Sequence, residues 1–325
     1  MLRRLAWSVA VLATGLALVS PAAPATARPG RGPVLTVPRP LLRGAVRCNP
    51  LANRHNPRRT LLLVHGTAAT PEEAWGWGYE RQLTADGYGW CDVRLPDRAL
   101  GDFVTASQYA VFAARKAYRR SGRKVALVGH SQGGAMVLWI AKFWPDVARH
   151  ASDVIALAGP LHGTTVANAL CAAGTCATVA WQLRQGSLTT DALSNAPVPR
   201  GPKITSIATS MDELITPQPY AGQGNGVHSV LVQDVCPGHV VEHGLLLGDR
   251  VGYALVRDAV DRRGAAQARR VDRSVCNGQT LPQADLVGAA GFASTVANFL
   301  TGLADPLTWV DHEPALPAYA ARYAR

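Results

Sequence analysis

The sequence predicts an α/β fold, with a mainly parallel sheet covered by helices on both faces. Two observations carry that expectation. Short, uninterrupted apolar runs recur along the chain, and longer stretches with helical spacing separate them. Strands that are apolar throughout, rather than at every second residue, belong to sheets buried on both sides. No internal repeat divides the chain into smaller units.

The elements follow in order. TLLLV at 60–64 reads as a buried strand, and CDVRL at 91–95 as a weaker one. A helix over 107–120 aligns Tyr109, Phe112, Ala113 and Ala117 on one face. KVALV at 124–128 is a strand, and 135–144 a helix. Strands are expected at 154–158, 204–208 and 230–232, and a last helix over 244–260. Residues 28–47 are rich in Pro, Arg and Gly and are expected to be irregular. Residues 48–325 are then read as one domain. Two stretches break the rhythm. Residues 162–199 insert between strands without a clear strand of their own, as a lid or cap would. Residues 286–303, LVGAAGFASTVANFLTGL, suit either a buried helix or one lining an apolar channel.

Composition bounds the function. Apolar residues make up 48% and charged residues 17% of 325, an ordinary globular mixture. The formal charge is +11, mostly from arginine, since the lysines are only Lys116, Lys124, Lys142 and Lys203. The arginines are scattered, with no dense run or aromatic-interleaved stripe, so no nucleic-acid partner is expected. Arg3 and Arg4, the apolar residues 5–19 and Ala25-Thr26-Ala27 form a secretory signal over 1–27. Its removal takes two arginines and no acids, lowering +11 to +9. No later segment is long and apolar enough for an integral membrane span. A secreted, extracellular chain makes Cys48, Cys91, Cys171, Cys176, Cys236 and Cys276 readable as an even disulfide set, whose pairing the spacing leaves open. CxxC zinc spacings are absent.

Gly129-His130-Ser131-Gln132-Gly133 matches G-x-S-x-G. The pentapeptide alone is weak; its context is not. A strand runs straight in and a helix straight out, which is the strand–turn–helix of a nucleophile elbow. The tight turn demands small neighbours and presents the Ser131 hydroxyl at a helix N-terminus. A serine nucleophile needs a base, and the base needs an orienting acid, in the chain order Ser, acid, His. Asp212, just past the strand at 204–208, is the favoured acid, with Glu213 its neighbour and rival. His228, His239, His243 and His312 are the candidate bases. His243 is favoured over His239 because it stands directly before the last helix. The oxyanion donors are the backbone N–H of Gln132 and that of Thr67, in the loop after the first central strand. The Thr67 hydroxyl is a third candidate donor.

Several stretches together resemble the Candida antarctica lipase B group of triacylglycerol lipases and esterases, which have the α/β-hydrolase fold. They are Leu62-Leu63-Val64-His65-Gly66-Thr67, Ser131-Gln132-Gly133-Gly134, Trp181-Gln182 with Gly186-Ser187-Leu188-Thr189-Thr190, Ala208-Thr209-Ser210-Met211-Asp212-Glu213, Val235-Cys236-Pro237-Gly238, and Cys276-Asn277 with Leu281-Pro282. They are collinear over about residues 48–320. The resemblance implies Asp212 and His243 as acid and base, and Thr67 and Gln132 as the oxyanion hole. It implies disulfides Cys48–Cys91 and Cys236–Cys276, leaving Cys171 to pair with Cys176. It also implies a lid-like helix near the insert and a C-terminal helix beside an acyl channel. His130, Leu161 and Leu286 are assigned to the substrate pocket. Two departures stand out. His130 replaces the tryptophan that precedes the nucleophile in the family's best-known member, and the family's C-terminal disulfide has no cysteines here.

The expected reaction is hydrolysis of carboxylic esters of lipids, triacylglycerol-like substrates included, by acyl transfer, at a lipid–water interface where the substrate is insoluble. A monomer with no metal and no cofactor is expected. The rivals are a polyester hydrolase or peptidase of the same fold, and a non-catalytic binder on the same scaffold.

Overall fold

A computed structural model describes residues 30–324. The signal segment expected over 1–27 lies outside the described residues. The chain opens with helix α1 (Arg39–Gly44) and strand β1 (Val46–Cys48). Then come β2 (Thr60–Val64), α2 (Tyr79–Ala85), β3 (Gly89–Val93), α3 (Phe103–Ser121), β4 (Val125–His130), α4 (Gln132–Phe143), α5 (Pro145–His150) and β5 (Ala151–Leu157). The insert carries α6 (Thr165–Leu170), β6 (Cys176–Ala177), α7 (Thr178–Leu183) and α8 (Leu188–Asn195). After it come β7 (Lys203–Ala208), β8 (His228–Leu231), α9 (Val232–Val235), α10 (Arg250–Asp261), α11 (Ala290–Ala304), β9 (Trp309–Val310) and α12 (Ala318–Ala321).

Seven strands form one sheet in the order β1-β3-β2-β4-β5-β7-β8, parallel except for β1. The apolar runs are buried on both sides, as their composition requires. Alternate residues enter different cores: Leu62, Val64, Val125 and Leu127 pack with α3 and α4, while Leu61, Leu63, Ala126 and Val128 pack with α2 and α10. Asp102 caps α3 by accepting from the Thr105 N–H at 2.8 Å, and Gly122 ends it in the left-handed conformation.

Three expectations are corrected. The lead-in over 28–47 is not wholly irregular: β1 pairs antiparallel with β3 and covers that edge of the sheet. The insert does hold a strand, because β6 finds its partner in distant β9. The helix over 244–260 is broken into a short turn, Leu245–Leu247, and α10. The cause is local. Asp249 turns its carboxylate onto the Gly252 N–H at 2.6 Å, capping a new helix, and Gly248 lies against Trp77.

Disulfides join Cys48 to Cys91, Cys171 to Cys176 and Cys236 to Cys276. The first lies at a register pair of β1 and β3. Most of the stretch over 286–303 lies in α11, and it is not sealed in the core. Val296 and Leu300 are exposed, as are Leu286 and Val287 before it. No helix of the described residues is long and apolar enough to cross a membrane.

Candidate active site

The site lies at the C-terminal edge of the sheet, where strand ends of a parallel sheet converge. Ser131 terminates β4 with φ of 55°, a strained value for a residue with a side chain. Backbone approach explains its small neighbours. A Cβ on Gly129 would lie 2.0 Å from the Gly133 carbonyl oxygen, and one on Gly133 would lie 2.2 Å from that of Val64. The turn closes only with glycine at both positions.

Asp212 and His243 are brought together from segments 31 residues apart. Both carboxylate oxygens lie 3.0 Å from His243 Nδ1, and both residues are buried. Asp212 Oδ1 also accepts from the Leu214 and Ile215 N–H groups at 3.0 and 2.7 Å. Burial lowers the affinity of His243 for a proton, but the Asp212 charge and hydrogen bond, aided by Glu213 and Glu242, outweigh it and raise its pKa above 6.5. Nδ1–H bonded to the carboxylate leaves Nε2 as the basic nitrogen. No hydrogen bond joins Ser131 Oγ to His243; such contacts are often loose before substrate binds.

The His243 loop is tied over the sheet. Thr209, after β7, donates from its hydroxyl to the Val241 carbonyl at 2.8 Å, and Gln233 Nε2 reaches the His239 carbonyl at 2.9 Å. Glu213 is not the acid facing the imidazole. Its carboxylate accepts from the His243 backbone N–H at 3.1 Å. His239 is committed elsewhere: its Nε2 lies 2.6 Å from Asp249, both fully enclosed. His228 is exposed beside Gln267, and His312 lies in the exposed tail beside Asp311.

The loop after β2, which carries Gly66 and Thr67, lies close to Ser131. A Cβ on Gly66 would sit 2.8 Å from Ser131 Cβ. The N–H of Thr67 has no backbone acceptor, and that of Gln132 opens α4, where helical amides lack partners. The Thr67 hydroxyl donates to Gln132 Oε1 at 2.6 Å, so its single proton is occupied and serves as a brace rather than a third donor.

His65 was not singled out by the sequence. It is fully buried; Nδ1 donates to the Gly66 carbonyl at 2.8 Å, and Nε2 accepts from the Leu95 N–H at 3.1 Å. Burial pushes its pKa down to about 4, so it is the neutral form that holds the loop. Its position directly before Gly66 was the available signal; its partner 30 residues on was not visible.

The three residues assigned to the pocket differ in burial. His130 is buried, donates from Nε2 to the His243 carbonyl at 3.0 Å, and lies with its ring centre 4.7 Å from that of His243. Burial, then the neighbouring His243, holds it well below the usual imidazole range. Leu161 is 1% exposed and belongs to the core. Leu286 is 65% exposed and borders a small cavity of about 120 Å³ with Trp77, Val240 and Leu245, beside the His243 loop. No cluster of metal-ligating side chains occurs among the described residues.

A mostly parallel sheet with helices on both faces and a serine on a strained strand-to-helix turn defines an α/β-hydrolase. Comparison with known proteins narrows the class. Lipase B of Pseudozyma antarctica is 29% identical over 311 residues, 91% of this chain and 88% of that protein. The crystal structure of Aspergillus fumigatus lipase B superposes with a TM-score of 0.78 at 26% identity, covering 94% of this chain and 76% of that one. No protein-family model matches the chain. The chain is thus similar to these two lipases along nearly its whole length.

Proposed function

We propose that this chain is a secreted serine hydrolase of carboxylic esters, a lipase or carboxylesterase acting through Ser131, His243 and Asp212. The observation that carries the proposal is the buried Asp212–His243 pair, held over the edge of the sheet on which the Ser131 turn sits. The two relatives it resembles over nearly its whole length are both named lipase B.

In the proposed cycle, His243 Nε2 takes the Ser131 proton as Oγ attacks the ester carbonyl. The N–H groups of Thr67 and Gln132 receive the oxyanion. The His243 imidazolium, stabilised by Asp212, protonates the leaving alcohol, and water then cleaves the acyl-enzyme by the same route. Exposed Leu286, Val287, Val296, Leu300 and Leu307 give the C-terminal region an apolar surface suited to a lipid–water interface. The three disulfides support export.

The test is a panel of p-nitrophenyl esters from short to long acyl chains beside an amide substrate. Ester turnover abolished in Ser131→Ala, with labelling of Ser131 by a fluorophosphonate, is the expected result. Amide turnover exceeding ester turnover would favour a peptidase, and an unlabelled Ser131 would favour the non-catalytic binder.

A further inference from the structure

A large cavity lies away from Ser131 and shares no residue with the site above. It measures about 680 Å³ and lies between the lead-in segment, α3 and α5. Five arginines line it, Arg31, Arg39, Arg115, Arg119 and Arg149, against one carboxylate, Asp146. Two of the arginines are committed. Arg115 grips Asp146 through Nε and a terminal nitrogen at 2.7 and 3.0 Å, and Arg149 donates to the Gly30 carbonyl at 2.6 Å. The side chains of Arg31, Arg39 and Arg119 make no hydrogen bond or ion pair among the described residues.

We propose that this arginine-lined cavity is a binding site for a phosphate-class anion, free or carried on a lipid headgroup. Guanidinium groups match phosphate oxygens in pairs of parallel hydrogen bonds, and three of them here have donors to spare. Like charges gathered over apolar Leu42 and Phe112 repel one another, and a multivalent anion relieves that repulsion. Arg119 records the strain: burial, and then Arg115, Arg39 and Arg31, lower its pKa. His150 forms part of the same wall. It stacks on Tyr118 with ring centres 3.6 Å apart and lines the cavity. The neutral ring gives the cavity an aromatic wall beside its arginines.

The test is titration calorimetry with pyrophosphate, alongside flotation with phosphatidylglycerol and phosphatidylcholine vesicles, at low salt and at 0.15 M NaCl. The wild-type chain is expected to bind pyrophosphate, or phosphatidylglycerol in preference to phosphatidylcholine. Which probe binds identifies the anion's source. Arg39→Gln/Arg119→Gln should weaken binding at least tenfold, while Ser131→Ala should bind as the wild type does. Arg200→Gln/Arg262→Gln removes the same charge elsewhere on the surface. The proposal is overturned if neither probe binds, or if that control loses as much as the cavity variant. Thermal melting verifies that the cavity variant folds; should it not, Arg31→Gln makes the same comparison.

Discussion

Replacing Asp212 by asparagine isolates the electrostatic part of the proposed mechanism. The substitution keeps an oxygen that can accept from the Leu214 and Ile215 N–H groups, so the loop after β7 should keep its shape. What is lost is the negative charge 3.0 Å from His243 Nδ1 and the acceptor that selects the Nδ1–H tautomer. In serine hydrolases of this design the loss is about ten-thousandfold in kcat, or about 5 kcal/mol of transition-state stabilisation. A second readout follows from the sign of the pKa shift. Asp212 is what lifts His243 above 6.5 against its burial, and catalysis needs the neutral imidazole. The wild-type activity should therefore rise with pH through a value above 6.5, and in Asp212→Asn that limb should move to lower pH. Steady-state kinetics on a soluble p-nitrophenyl ester from pH 5 to 9 measures both quantities. A loss smaller than about tenfold, or an acid limb that stays in place, would refute the assignment of Asp212.

Other expectations rest on separate parts of the structure. His239→Ala breaks the buried pair with Asp249, so it should destabilise the fold by about 3–5 kcal/mol in denaturant titration, yet leave ester turnover of the folded enzyme within a few-fold of wild type; activity lost in His239→Ala but kept in His243→Ala would reverse the choice of base. His65→Leu strands the Gly66 carbonyl and the Leu95 N–H, costing about 1–3 kcal/mol for each, and should lower kcat more than it raises KM because the oxyanion loop is freed. Gly66→Ala drives a methyl group into Ser131 and should cut kcat at least a hundredfold; near-normal turnover would mean the loop does not approach the nucleophile as described. Glu80 is raised above its ordinary 4.5 by burial and then by adjoining Asp92, with Arg47 opposing. The folded chain thus holds that proton more tightly than the unfolded chain does, so stability should fall as pH rises above 4.5, and Glu80→Gln should flatten the dependence of Tm on pH.

Much of this protein was legible in one dimension. Apolar runs such as TLLLV and KVALV announce buried parallel strands because no polar face is left for solvent. The elbow is equally local, since Gly129, Ser131 and Gly133 are neighbours whose small size answers a steric demand at that turn. The order Ser131, Asp212, His243 narrowed the acid and base to a few positions. Contacts between distant segments were decided only by the tertiary structure. Nothing in sequence says that Glu213 binds the His243 amide while Asp212 takes the imidazole, or that Asp249 breaks the last helix and claims His239. Strand β6 exists only because β9 reaches it from more than 130 residues away. Leu161 and Leu286, paired by expectation, separate into core and surface, because hydrophobicity gives the preference for burial but not the partner. The sequence thus determined the sheet, the turn that presents Ser131 and the short list of side chains that could partner it; the tertiary structure decided which side chains meet, because pairing energies depend on distances that the order of residues does not contain.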